Sequence, residues 1–315
     1  MATPDNDVSE LEVHSVRIVR AIADTGSITG AAAHLGYSQP AVSQHLRRLE
    51  ARLGLPVVER VGRGVRLTEA GRIVARHAPA VTTALDALQG ELDELRGVRV
   101  ARVRLAGFPS ASPTIVPRLL AALAASHPGI EITYVEAEPP EAVAAVREDR
   151  ADIALTFSYP GDRVDPHGLS ARGLTTTDVG SDVMLVVVPA EHSVARASTT
   201  DVSMLVDEAW IAGCPRCRGH LLEVCGREGF SPRITFETDN IAAVEGLVAA
   251  GMGVAILPQL AVASFPLLPG IATVPLALSE SRSIHTVTAR GADRVPAVRE
   301  TLAALRRAVA AMTAE

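Results

Sequence analysis

The run SITGAAAHLGYSQPAVSQHLRRLEARLGLPVVERVGRGVRLTEAGR, residues 27–72, restricts the fold of this chain more than any other stretch. It sets two short amphipathic helices around a tight turn and follows them with a hairpin. Ser27 is placed to cap a helix whose Ile28, Ala31, Ala32 and Leu35 share one face, and Gly36 supplies the left-handed residue that stops it. Ser38 can cap a second helix, with Pro40 in its first turn, where a missing N–H costs nothing. Val42, Leu46, Leu49 and Leu53 then recur at helical spacing and turn inward, leaving Gln39, Ser43, Gln44 and Arg47 on the opposite side. Val57 to Glu59 and Val65 to Leu67 read as two short strands around Gly62, Arg63 and Gly64.

The outward face of the second helix has the chemistry of a major-groove reader. Gln pairs bidentately with adenine, Arg with guanine, and Ser serves either base edge or a phosphate. The hairpin offers Arg63 and Arg66 to a phosphate backbone. A polar outer face by itself is also what any solvated amphipathic helix shows. Charge separates the two readings: from Leu11 to Ala80 there are ten arginines against five acids, net +5, in a chain whose overall net charge is −6. A basic module on an acidic body suits phosphate binding, not non-specific coating of nucleic acid.

The order GSITGAAAHLGYSQPAVSQHLRRLEARLG, then ER, then RLTEAG, resembles the winged helix-turn-helix of LysR-type transcriptional regulators. The resemblance implies a regulator that binds double-stranded promoter DNA through Thr29, Ser38, Gln39, Pro40, Ser43, Gln44 and Arg47, with Arg63 and Arg66 on the backbone. It also implies a dimer or tetramer and a small-molecule effector. Two positions depart from the pattern: Gly30 is a poor residue for a helix interior, and Val57 and Val58 stand where the family often has a larger Leu-Phe pair.

At 315 residues and 48% hydrophobic, the chain can bury two or three domain cores. No segment reaches the roughly 18 uninterrupted apolar residues of a membrane span. The start, MATPDNDVSE, lacks a basic region followed by an apolar one, so a cytoplasmic protein with no membrane partner is expected. Three cysteines, an odd number, fit that compartment better than a secreted disulfide framework.

After the hairpin, Thr68 can cap a helix running to about Leu95, in which Val74, Ala78, Val81, Leu85, Leu88, Leu92 and Leu95 alternate four and three apart. A seam sustained over three heptads favours pairing with a like helix over packing on its own domain. Pro79 should bend it. In LysR-type proteins this region resembles the linker helix that pairs two DNA-reading domains.

From Val98 onward strands and helices alternate. Strands are expected at Val100 to Leu105, Ile130 to Val135 and Ile153 to Phe157, with helices at Thr114 to Ala125 and Glu141 to Glu148. A second set follows: strands Val183 to Val188, Trp210 to Ala212, Arg233 to Glu237 and Val254 to Leu257, with helices Gly219 to Glu228 and Ile241 to Ala250. Ser283 to Ala289 and the helix Val295 to Met312 return to the first set. The expected fold is an α/β effector body of two Rossmann-like lobes, similar to periplasmic binding proteins, preceded by an all-α winged helix-turn-helix and a linker helix. The expected boundaries are 8–68 for the DNA-binding domain, 69–97 for the linker, 98–178 with 280–315 for lobe one, and 179–279 for lobe two.

In open α/β sheets ligands sit at the carboxyl ends of strands. GFPSAS, residues 107–112, places Ser110 and Ser112 just before a helix, where they suit either an anion or simple capping. Phe157, Ser158 and Tyr159 end the third strand and can line the opposite wall. Asp239 and Asn240 read as helix caps. Ser110, Ser112, Phe157, Ser158 and Cys214 are therefore the effector-binding candidates.

IAGCPRCRGHLLEVC brings together Cys214, Cys217, His220 and Cys225. Three readings compete: inert reduced thiols, a redox switch, and a metal site for which one CxxCxxH cluster is weak support. Cys217 near a helix start, beside Arg216 and Arg218, should have a lowered pKa. The position resembles that of the reactive and resolving cysteines of peroxide-sensing LysR-type members, although there a His precedes the reactive Cys. Were 217–225 helical, those two thiols would stand about 12 Å apart, beyond disulfide reach, so Cys214 to Cys217 is the easier bond. No cofactor, metal or enzymatic activity is expected, because no Ser-His-Asp order, P-loop or paired-carboxylate site stands out; a thiol oxidoreductase using Cys214 and Cys217 is the remote alternative. A solute-binding component would share the two-lobed body but should carry an export signal and no reading helix.

Overall fold

The computed structural model describes residues 11–61, 64–95, 101–161, 170–277 and 280–313. The front domain is built from α1 (Val13–Thr25), α2 (Ile28–Leu35), α3 (Gln39–Leu53) and a hairpin of β1 (Val58–Val61) and β2 (Gly64–Leu67). Ser27 Oγ accepts from Gly30 N at 2.9 Å, and Ser38 Oγ from Ala41 N at 3.4 Å. The left-handed Gly36 ends α2, with Tyr37 N donating to Ala32 O at 2.9 Å. Ile18, Val19, Ile22, Val42, Leu46, Leu49 and Val57 close one small core, each contributing about 1.5–3 kcal/mol by leaving water.

Two glycines of this domain are fixed by close approach. A Cβ on Gly71 would stand 2.0 Å from Val57 O, so no other residue lets the helix after the wing pass the chain that leads into β1. A Cβ on Gly30 would stand 2.8 Å from both Ser27 Oγ and Thr25 Cβ, so this poor helix former is what admits the capping serine.

The linker α4 (Glu69–Leu95) begins at Thr68, whose Oγ1 accepts from Gly71 N at 3.1 Å. Pro79 lies inside it, and the carbonyl freed one turn back, Ala75 O, accepts from Arg20 Nη1 at 3.5 Å. Of the heptad seam, Ala78 is buried, whereas Leu85, Leu88 and Leu92 are 40%, 55% and 40% exposed. The first half of the seam packs within the chain, and the second half leaves its leucines without a cover. The Leu95 side chain lies outside the described residues.

Lobe one contains β3 (Ala101–Gly107), α5 (Ile115–Ser126), β4 (Ile130–Glu136), α6 (Pro139–Arg147) and β5 (Ile153–Ser158). Next comes β6 (Thr175–Pro189), a single 15-residue strand. Lobe two adds β7 (Ala209–Ala212), α7 (Pro215–Arg227), β8 (Arg233–Glu237), α8 (Ile241–Ala249), β9 (Ala255–Pro258), α9 (Gln259–Val262) and β10 (Ile271–Pro275). The chain then returns through β11 (Ser281–Thr288) and α10 (Pro296–Thr313).

Strand order in lobe one is β4-β3-β5-β11-β6, and β6 continues into lobe two, where it pairs with β9 and β10. The strand expected at Val183 to Val188 is therefore the second half of a longer element, and the expected boundary at residue 179 falls inside it. Polar residues explain the shortened expectation: Thr175, Thr176, Thr177, Asp178 and Ser181 lack the apolar alternation that marks a strand in sequence. The helix expected from Gly219 begins four residues earlier, at Pro215, whose missing N–H suits the first turn.

Candidate functional site

Two regions carry the chemistry. On the front domain, α3 turns Gln39, Gln44 and Arg47 to solvent, with Ser38 and Pro40 at its exposed start and Ser43 half-buried. Gln39 Nε2 donates to Ser43 Oγ at 3.0 Å, which holds the amide along the helix face. Thr29 is exposed on the first turn of α2. On the wing, Arg66 lies opposite Glu59 and donates to its Oε1 from Nε at 2.9 Å and Nη2 at 2.7 Å. An exposed pair of this kind is worth about 1 kcal/mol or less, so a phosphate can replace the carboxylate cheaply. Arg63, the other backbone candidate, lies outside the described residues.

The second region is a cavity of about 60 Å³ between the lobes. Its floor is Arg282 on β11, 2% exposed, which faces Asp182 on β6 across the ladder. Arg282 Nε and Nη2 donate to Asp182 Oδ2 at 2.9 and 2.7 Å, and Nη2 also donates to Ser110 Oγ at 2.6 Å. Asp182 Oδ1 accepts from Leu260 N at 3.0 Å. The guanidinium lies 4.9 Å from the Phe108 ring centroid and 4.4 Å from that of Phe157. A buried charge survives only when paired and hydrogen-bonded in this way. Nη1 of Arg282 has no hydrogen-bond partner among the described residues, which leaves donors for an occupant of the cavity.

Glu138, just before α6, is on the same lining. Burial pushes its carboxyl up to about 7, and its Oε2 is buried without a hydrogen-bond partner.

Cys214 and Cys217 line the cavity from the start of α7. Cys214 donates to Cys217 with sulfurs 3.1 Å apart, and Tyr159 Oη donates to Cys217 Sγ at 3.5 Å. These two donors, aided by the charge of Arg282, lower the Cys217 thiol to about 7 against the opposing effect of burial. The neighbours named by sequence spend their charge elsewhere: Arg216 Nη2 donates to Phe157 O at 3.2 Å and Arg218 Nε to Glu237 at 3.1 Å. Cys214, as the donor, is held well above the ordinary thiol range. Cys225 is fully buried, and burial pushes it up to about 12; it sits on the same unbroken α7 as Cys217.

His220 stacks on Tyr159 with ring centroids 4.0 Å apart. Burial, followed by the nearby Arg227, lowers it to about 4. No group of three or more potential metal ligands occurs among the described residues.

Of the effector candidates, Ser110, Phe157 and Cys214 come together on this one lining. Ser112 does not: its Oγ donates to Glu136 at 2.6 Å and is 2.8 Å from Tyr134 Oη. Ser158 bonds His285 across the β5 and β11 ladder at 2.8 Å. Asn240 caps α8 through Ala243 N at 3.2 Å, while Asp239 lines the cavity. Sequence reasoning passed over Arg282, Asp182 and Glu138. The signal was parity: Arg282 shares the inward register of β11 with Ile284 and Thr286, and Asp182 sits opposite it.

Two family patterns match the chain, one over each of the stretches that hold these regions. The pattern described as "Bacterial regulatory helix-turn-helix protein, lysR family" matches residues 13–72, and "LysR substrate binding domain" matches residues 96–310. The probable HTH-type transcriptional regulator LrrA of Synechococcus elongatus is 25% identical over 288 residues, covering 91% of this chain and 94% of that protein. A probable hydrogen peroxide-inducible genes activator of Mycobacterium avium is 30% identical over 257 residues, covering 79% and 78%. A full-length OxyR variant from Pseudomonas aeruginosa shares the fold with a TM-score of 0.68 at 20% identity over 95% of each chain. No helix of the described residues is long and apolar enough to cross a membrane. With a helix-turn-helix in front and a two-lobed effector-binding body behind it, the chain belongs to the LysR-type transcriptional regulators.

Proposed function

We propose that this regulator acts in the cytoplasm as an oligomer, reads promoter DNA with Gln39, Ser43, Gln44 and Arg47, and anchors to phosphates through Ser38, Thr29, Arg66 and Arg63. The uncovered Leu85, Leu88 and Leu92 of α4 supply the seam between two chains. The signal enters at the inter-lobe cavity by binding, without turnover. One observation carries this reading: Arg282 and Glu138 line one cavity, and each keeps hydrogen-bonding capacity that no described residue uses. The fitting effector is a molecule of a few heavy atoms that offers an acceptor to Arg282 and, at one end, a donor to Glu138. Its binding shifts the balance between oligomer shapes and so the spacing read on DNA. A footprint on the DNA upstream of the gene, repeated with small carboxylic acids, tests the reading. The footprint should move with the effector in the wild type and stay fixed in E138A; an identical footprint under every ligand that alters expression in cells would refute it.

The sulfur contact of 3.1 Å between Cys214 and Cys217 favours a second reading of the same cavity, a thiol switch. The Cys217 thiolate would attack hydrogen peroxide, breaking the O–O bond to leave a sulfenic acid and a hydroxide that takes a proton from solvent to become water; the Cys214 thiol then displaces a second water and closes the disulfide. The two thiols supply both electrons. Footprints in dithiothreitol and in mild peroxide separate the readings, since only the switch predicts a change that C217S abolishes.

A further inference from the structure

A second, larger hollow of about 470 Å³ lies where the DNA-reading domain, the linker helix and lobe one meet. Arg20 reaches it from α1, Arg76 from α4, Arg147 from the end of α6, Arg172 from the segment before β6, and Arg290 from the turn after β11. Among the described residues its lining contains no aspartate or glutamate, although the chain as a whole is net −6. Among the described residues, only Arg20 of the five arginines is held by an acid, Asp24 at 3.0 Å. Arg76, Arg147, Arg172 and Arg290 have no ion pair among the described residues, and Nη2 of Arg147 is buried without a hydrogen-bond partner.

Unlike Arg282, which comes with Asp182 in place, these side chains crowd like charge around an open space. A fold tolerates such crowding at little cost when an anion sits among the cations, and a guanidinium fork fits phosphate bidentately. The volume falls in the range of small-molecule sites, and Pro79, Leu174 and Ala289 give it an apolar wall. Pro79 is also the residue that frees Ala75 O for Arg20, which ties one wall of the hollow to the proline in α4.

We infer that this junction binds a small phosphate polyanion, either a nucleoside polyphosphate or an inorganic polyphosphate, between Arg20 and Arg76 on one side and Arg147, Arg172 and Arg290 on the other. The occupant ties α1 and α4 to lobe one and fixes the angle between the DNA reader and the effector body. It is an input separate from the inter-lobe cavity.

Calorimetric titration of the full chain with tripolyphosphate and with ATP, without DNA and at low salt, tests it. The expected result is one saturable site per chain, weakened about tenfold or more in the R147Q/R290Q double variant. Binding should be retained in R47Q, which alters only the DNA face. R76Q on the exposed rim gives the same answer if the double variant fails to fold. Tighter binding of ATP identifies the nucleotide class and tighter binding of tripolyphosphate the inorganic chain. Absence of saturable binding by either probe overturns the inference, as does loss of binding in R47Q alone. Weaker operator binding by R147Q/R290Q without any small-anion site would hand the hollow to DNA and overturn it too.

Discussion

The proposed DNA-reading face and the inter-lobe cavity use the same residue types, arginine with a hydroxyl and a carboxylate, in opposite ways. On the face, Gln39 bonds Ser43 four residues away and Arg66 bonds Glu59 seven away, all in water. In the cavity, Arg282 bonds Ser110 from 172 residues away and Asp182 from 100, all shielded from it. Water makes the first set interchangeable, since each contact is weak enough to be traded for a base or a phosphate. Its exclusion makes the second set mutually dependent, since removing one member strands the others. A reader must release its own contacts to bind, whereas a sensor must hold its contacts to report a small change.

Removing a cavity charge should break this comparison most visibly. R282M leaves Asp182 buried and unpaired and is expected to cost about 3–5 kcal/mol in chemical denaturation, with much of that recovered in the R282M/D182N double variant. A loss below about 1 kcal/mol would mean that water enters the cavity freely and that the two regions do not differ. On the face, R47A should lose about 1–3 kcal/mol of operator affinity by gel shift while its unfolding midpoint stays put. The thiols sharpen the contrast kinetically: alkylation of Cys217 should rise with a midpoint near pH 7, while Cys225, pushed up to about 12, stays silent. C214A should slow Cys217 alkylation at pH 7, because it removes the first donor to the thiolate.

A fourth test uses two groups that oppose each other in pH. Glu138, raised to about 7, keeps its proton in the folded chain and loses it in the unfolded one, so its contribution falls as pH climbs from about 4.5 to 7. His220, lowered to about 4, stays neutral in the folded chain while the unfolded one is protonated, so its contribution rises from about 4 to 6.5. Thermal stability of E138Q should therefore climb more steeply across that window than that of the wild type, since only the falling contribution is removed. The smallest effect belongs to R66A, which should weaken binding to all DNA sequences alike and lower the salt slope by about one.

The reader was legible from sequence because its caps, stops and inward face all fall within 46 residues, and local rules govern each. Even Gly30, a poor helix former by propensity, owes its place to a neighbour three positions away. The cavity was legible only in part. Ser110, Phe157 and Cys214 end local elements, and position in an α/β chain points to them. Arg282 and Glu138 are defined by what surrounds them, and the lowered thiol of Cys217 has a cause no spacing could name. It comes from Cys214, Tyr159 and Arg282, and the adjacent arginines point away to Phe157 and Glu237. Ser112 and Ser158 show the same limit from the other side, since each is engaged by a distant partner, Tyr134 or His285.

The unbroken course of β6 bears on how such a protein can be taken apart and recombined. Thr175 to Val183 belongs to one sheet through β11, and Met184 to Pro189 belongs to the other through β9 and β10. The front domain closes its own core and could be grafted onto another body as a cassette. The lobes share one load path, so neither can be cut free without tearing a strand from its sheet, and variation in what this body senses has to arise by exchanging residues around the cavity rather than by exchanging lobes.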